Sequence, residues 1–238
     1  MRLALFISGG GTTAAAIIRA CFSGKLAIDP ALVVASKGDI AGITRVQEAG
    51  LPAKKIIIIN PRDYKNQDGF AKKLFDVCSK YKVDLVGQYG WLPLTPKKFI
   101  KKFKGKIINQ HPGPLDPPRP DFGGKGMWGR RVHAAILYFR RVTGHDFWTE
   151  ATTHFVTEEF DKGEVIKRKR VKILSSDTVE ELQKRVLPVE HKVQIEALQD
   201  FVVDRVQTQS RREPLIKDKE LSYLIEAKKI AAIFYPHG

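Results

Sequence analysis

RLALFISGGGTTAAAIIRACF, residues 2–22, decides how the chain is read. Leu3 to Ile7 is a continuous apolar run of strand length, cut off by Ser8-Gly9-Gly10-Gly11. A short run buried on both faces is what a strand of a parallel sheet requires. From about Thr13 to Phe22 the chain reads as a helix with small residues in its first turns. Strand, glycine turn and helix open a βα unit. The alternation continues downstream. Ala31 to Ala35 is a second strand, and Ile40 to Ala49 a helix stopped by Gly50 at its C′ position. Ile56 to Ile59 is a short apolar strand. Phe70 to Tyr81 is helical, with Phe70, Leu74, Val77 and Cys78 on one face. Val83 to Val86 and Ile107-Ile108 are further strands. The expected class is therefore α/β, a doubly wound, mostly parallel sheet.

After this frame comes Pro112 to Gly129, a loop rich in proline and glycine. A helix over Val132 to Arg140 and late strands over Thr152 to Val156 and Val165 to Ile173 follow. Asp177-Thr178-Val179-Glu180 has the form of a capping box with Asp as the cap, opening a long helix that Pro188 is expected to kink or divide. Thr208 to Pro214 is a polar link, and Leu221 to Phe234 a final amphipathic helix. We divide the chain into residues 1–206 and a linker with C-terminal helix over 207–238.

With 238 residues, 43% hydrophobic and 28% charged, the chain can bury a sizeable core. No run approaches the roughly 20 apolar residues of a membrane helix, and the first apolar run is too short for a signal peptide. Cys21 and Cys78 fit no metal spacing and read as two buried thiols. A cytoplasmic protein in a reducing compartment is expected. The net charge of +15 points to an anionic partner, a phosphorylated metabolite or a nucleic acid. Lys97, Lys98, Lys101, Lys102, Lys104 and Lys106 form one basic cluster, and Lys167 to Lys172 another. Neither is interleaved with aromatics, which argues against single-strand binding.

Three motifs carry chemistry. Gly9-Gly10-Gly11-Thr12-Thr13 lies at a strand's carboxyl end and leads into a helix, where backbone N–H groups and the helix dipole favour an anion. It lacks the third glycine of a dinucleotide fingerprint and the Walker lysine, so a small phosphorylated metabolite fits better than a dinucleotide, the alternative being a tight turn that binds nothing. Asn109 and His111 stand two residues apart in extended chain and face one side, with Gln110 facing the other. A carboxamide donor beside an imidazole suits acyl transfer, the first for an oxyanion, the second for a proton. Asp161, in the turn before Gly163, is placed to pair with an imidazolium or simply to cap its turn.

Ser8-Gly-Gly-Gly-Thr-Thr, Asn109-Gln-His111-Pro and His154-Phe-Val-Thr-Glu-Glu-Phe-Asp161-Lys-Gly163, in this order, resemble the folate-dependent formyltransferases, and most of all the branch acting on glycinamide ribonucleotide in purine synthesis. Glu190-His191 adds to the likeness, which covers about residues 1–206. The resemblance implies a Rossmann-like formyltransferase domain. It implies that Gly11, Thr12, Thr13 and Glu190 bind the ribonucleotide, and that Gly90, Trp91, Leu92, Pro93 and Leu94 line the folate pocket. Asn109, His111 and Asp161 would be catalytic, His111 charged beside Asp161. The cosubstrate would be 10-formyltetrahydrofolate, with no metal required. The oligomeric state is left open, a homodimer among the options.

The chain departs from the family in the long loop after His111, in Leu137 to Thr153, and in Pro93, where an arginine is usual. The arginine that contacts the folate tail has no clear counterpart, Lys65 and Gln67 aligning about equally well. Two other readings therefore stand beside the first: formyl transfer to another amine, such as a nucleotide-linked amino sugar, and a non-catalytic RNA-binding protein on the same fold.

Overall fold

The structure is a computed structural model that describes residues 1–238. It divides into two compact units, residues 1–110 with 194–206 and residues 111–193 with 207–238.

In the first unit, β1 (Arg2–Ile7), β2 (Asp29–Ala35), β3 (Ile56–Ile58), β4 (Leu85–Gln88) and β5 (Ile107–His111) run parallel in the order β3-β2-β1-β4-β5. His111, the last residue of β5, is counted with the second unit. Helices α1 (Thr12–Phe22), α2 (Ala41–Glu48), α3 (Gln67–Lys80) and α4 (Lys97–Lys102) connect the strands. Leu3 to Ile7 are all fully buried, as a central strand covered on both faces must be. The chain leaves β1 toward β2 on one side, and β4 pairs on the other. The carboxyl ends of β1 and β4 are thus the switch point of the sheet, where open α/β folds bind their ligands.

The second unit holds the antiparallel pair β6 (Trp148–Phe155) and β7 (Val165–Lys172). With them are α5 (Arg130–Thr143), α7 (Leu221–Phe234) and most of α6 (Val179–Val202), whose last turns belong to the first unit. Phe122, Val132, Ile136, Phe139, Val171, Leu182, Val186, Leu224 and Ala227 share one core. Five parallel strands and one antiparallel pair make the mostly parallel α/β architecture. No helix is long and apolar enough to cross a membrane.

Several boundaries differ from the sequence expectation for local reasons. β5 runs past its apolar pair Ile107-Ile108 to His111, with Asn109 pairing with Gln88 of β4, which keeps Asn109 and His111 in extended chain as expected. β4 begins at Leu85, because Val83 closes the preceding helix by donating to Cys78 O at 2.9 Å. α4 was hidden by its lysines, although Phe99 and Ile100 form a buried face. The capping box at α6 sits one residue later than expected. Thr178 Oγ1 accepts from Glu181 N at 3.2 Å, and Glu181 accepts from Thr178 N at 2.8 Å. Asp177 is instead engaged by Leu174 N–H and Arg185. Pro188 does not divide α6, which continues from Val179 to Val202. Val186 and Val193, on either side of it, are both buried and hold the second unit's share of the helix in place.

Candidate active site

The glycine turn after β1 is built by close backbone approach. Gly11 caps α1 in the left-handed region, φ 64°. A Cβ on Gly42, in α2, would lie 2.6 Å from Gly9 O and 3.2 Å from Gly11 N. Gly42 N–H donates to Gly9 O at 3.0 Å, and the Arg45 guanidinium donates to Gly10 O. Carbonyls of the turn are thereby taken up by α2. The first N–H groups of α1, at Gly11, Thr12 and Thr13, have no partner within their own helix, which leaves an anion-binding end.

Ser8, which the sequence reading did not single out, ties this turn to the segment after β4. Ser8 N donates to Gly90 O at 3.1 Å, and Ser8 Oγ accepts from Leu92 N at 3.0 Å and from Ser36 Oγ at 2.9 Å. Gly90 is left-handed, φ 75°, which lets the chain turn back over β1. Trp91 points inward between Phe6 and Phe70, with ring centroids at 5.0 and 6.5 Å, so it is a wall of the core. Leu92 and Leu94 present apolar side chains to solvent, 49% and 46% exposed. Ser8, Ser36, Lys37, Asn60, Arg62, Leu92 and Pro93 are among the residues lining a cavity of about 270 Å³. Ser8, just before the glycine turn, thus joins the Gly90–Leu94 segment within the first unit, while Gly11, Thr12 and Thr13 do not line this cavity.

In the second unit, His111 and Asp161 come together as the sequence suggested. His111 Nδ1 lies 3.7 Å from Asp161 Oδ2, and His111 is 2% exposed. The ring also donates to the Phe122 carbonyl. His111 Nε2 is buried without a hydrogen-bond partner. The bond to Phe122 therefore uses Nδ1–H, and in the neutral ring Nε2 carries the lone pair. Burial pushes the His111 pKa down to about 4; Asp161 opposes this, while His154 and Lys228 add to it. Burial thus favours the neutral imidazole in the resting site, whereas the resemblance implies an imidazolium beside Asp161.

Asp161 is shared. Its Oδ1 faces His154 Nε2 at 3.3 Å, and its Oδ2 accepts from Gly124 N at 2.8 Å. His154 Nδ1 in turn meets Phe155 O at 2.8 Å. Burial alone would raise the Asp161 pKa, but His111, His154 and the Gly124 N–H outweigh it and bring it down to about 2. Asp161 sits at φ 55°, where a side chain is strained, and the surrounding contacts hold it there. His154 opens the motif that ends at Gly163, but the sequence assigns it no role, because its contact with Asp161 forms only when the strand and the turn fold together.

Asn109 precedes His111 on β5, and the two-residue period of a strand directs both to the same side. Glu190 is buried in α6 within the second unit. The loop from Pro112 to Gly129 is well tethered: Leu115 and Phe122 are fully buried. Asp116 accepts from Leu215 N at 2.8 Å, Arg211 donates to Leu115 O at 3.2 Å, and Lys228 donates to Gly123 O at 2.9 Å.

A model of the formyl transferase family matches residues 1–198. The chain is 35% identical over 221 residues to the chloroplastic phosphoribosylglycinamide formyltransferase of Arabidopsis thaliana, covering 92% of this chain and 71% of the plant protein. It is 29% identical over 192 residues to the phosphoribosylglycinamide formyltransferase of Haemophilus influenzae, covering 81% and 82%. Among solved structures, glycinamide ribonucleotide transformylase 1 from Symbiobacterium toebii superposes with a TM-score of 0.74 at 28% identity, over 89% of this chain and 92% of that one.

Proposed function

The chain belongs to the formyl transferase family, and from that premise we propose that it transfers a formyl group from 10-formyltetrahydrofolate to the amine of glycinamide ribonucleotide. The observation that carries this reading is the buried, unpartnered His111 Nε2 backed by Asp161.

His111 acts as general base through Nε2. As the amine attacks the formyl carbon and its N–C bond forms, Nε2 takes the amine proton. Asn109 donates its carboxamide N–H to the oxygen on which negative charge develops. Asp161 stabilises the imidazolium that now exists, its oxygen already 3.7 Å from Nδ1. His111 then returns the proton to the departing folate nitrogen as the old C–N bond breaks. The proton lost by the amine is the one gained by the leaving group.

The N–H groups at Gly11, Thr12 and Thr13 would hold the substrate phosphate, with Glu190 on the same nucleotide. Leu92 and Leu94, exposed and apolar, suit the flat face of a pterin, with Trp91 as the rigid wall behind them. The free thiols of Cys21 and Cys78 support a reducing, cytoplasmic setting.

The acceptor is tested by competition. Purified protein and 10-formyltetrahydrofolate are given glycinamide ribonucleotide, its dephosphorylated riboside, or a nucleotide-linked amino sugar. The expected result is a kcat/KM for the ribonucleotide roughly 100-fold above that for the riboside, the size of a lost charge-assisted phosphate site. Preference for the amino sugar would move the acceptor while keeping the chemistry.

A further inference from the structure

Lys228 lies in α7, beyond residue 198, where the match to the family model ends. Its ammonium donates to Gly123 O at 2.9 Å. That carbonyl belongs to the same peptide unit as Gly124 N–H, which donates to Asp161 Oδ2 at 2.8 Å. One amide therefore connects a cation to the carboxylate behind His111. A positive charge at the oxygen end polarises the amide and makes its N–H a stronger donor.

The geometry leaves little room for slack. A Cβ on Gly123 would lie 2.7 Å from Asp161 Cβ and 2.9 Å from its Oδ2, so the peptide lies directly against the carboxylate. Lys228 is itself fixed along the helix. Leu224, Ala227 and Ala231 of α7 are buried. The chain after α7 is clamped by Arg131, which donates to Tyr235 O at 2.7 Å, and by Arg130, which donates to Gly238 O at 3.2 Å. Burial lowers the pKa of Lys228, while Asp121 and Asp161 oppose the fall.

We propose that Lys228 is a positioning residue for formyl transfer: through the Gly123–Gly124 amide it holds the Asp161 carboxylate against His111, which makes the C-terminal helix part of the catalytic unit. The inference rests on the reading of His111 and Asp161 as the reacting pair.

The charged groups around this pair come from several elements. Asp161 faces His111 on β5, His154 on β6 and Lys228 on α7, while His133 on α5 faces His111. Asp121, paired with Arg119 at 2.7 Å and near Asp116, faces Lys228 from the loop. Removing the Lys228 charge weakens the Gly124 donor and takes a cation away from Asp161. Both changes raise the Asp161 pKa, and so does any retreat of Asp161 from His111.

The test uses Lys228→Met and Lys228→Arg in the full chain. Lys228→Met is expected to lower kcat roughly 10-fold or more with KM for both substrates little changed, and Lys228→Arg to recover most of the rate. Titration of the Asp161 carboxyl carbon by NMR is expected to move to higher pH in Lys228→Met and to return toward the parent value in Lys228→Arg. Equal thermal unfolding of the three proteins shows that the variants fold. A reduced kcat with an unmoved Asp161 titration would reduce Lys228 to a structural brace and overturn the proposal, as would an unchanged kcat. If the parent fails to formylate any amine, the proposed reaction falls, and the Asp161 titration alone decides for or against the lysine.

Discussion

His111 is held neutral by burial and next to a carboxylate, a combination that serves a base which must briefly become a cation. Asp161→Asn removes the charge that receives that cation while keeping the shape of the site. We expect kcat to fall by about 100-fold or more, with KM for the ribonucleotide little changed, in steady-state assays. The same burial predicts how stability depends on pH. The folded His111 and His133 rings have pKa values lowered to about 4 and about 3 from 6.5, so the unfolded chain takes up their protons first as pH falls. Their contribution is complete above pH 6.5 and is lost as pH drops toward 4 and then 3. Urea midpoints at pH 7 and pH 5 should therefore differ, and His133→Leu should narrow the difference. Parallel declines in parent and variant would remove His133 from this account. Asn109 and His111 were legible in the sequence because a strand period aims both to one side. Lys228 was not, because its contact forms only when a distant segment reaches the Gly123–Gly124 peptide; His154 stood in the quoted motif, but without a role.

Elements built from short apolar runs and glycine punctuation were the easiest to read. β1, the helix after it and α7 follow directly from burial period and turn residues. The errors fell where a polar residue does structural work. The apolar part of β5 ends at Ile108 and its polar end, Asn109 to His111, stays in the strand, while α4 hides behind lysines on its solvent side. The cap of α6 moved by one residue because Asp177 is drawn to Arg185, leaving Thr178 to bond Glu181. Thr178→Ala should lower Tm by roughly 2 °C in calorimetry, and Asp177→Ala should act through Arg185 rather than through the helix start. The glycine turn offers a sharper test. Gly42→Ala places a methyl 2.6 Å from Gly9 O and forces the turn to shift. KM for the phosphorylated amine should rise by about 10-fold with kcat nearly kept. Equal loss of kcat and KM effects would mean that the turn serves the fold and not the phosphate.

For the molecule as a whole, the formyl transferase model matches residues 1–198, and the C-terminal segment beyond that span packs back onto the second unit. Residues 207–238 tie down the long loop after His111 through Leu215, Arg211 and Lys228. The loop's length and the final helix looked like separate oddities in the sequence. In three dimensions each explains the other: buried Leu115 and Phe122 and the Gly123–Gly124 peptide need a partner, and the segment ending in α7 provides one. The basic surface remains compatible with an anionic small-molecule substrate. The decisive measurement is formyl transfer from 10-formyltetrahydrofolate to glycinamide ribonucleotide, followed by absorbance, for the parent chain and His111→Ala. The parent is expected to turn over, and the variant to lose about three orders of magnitude in kcat. Transfer at the same rate in both proteins, or no transfer by the parent, would contradict the assignment.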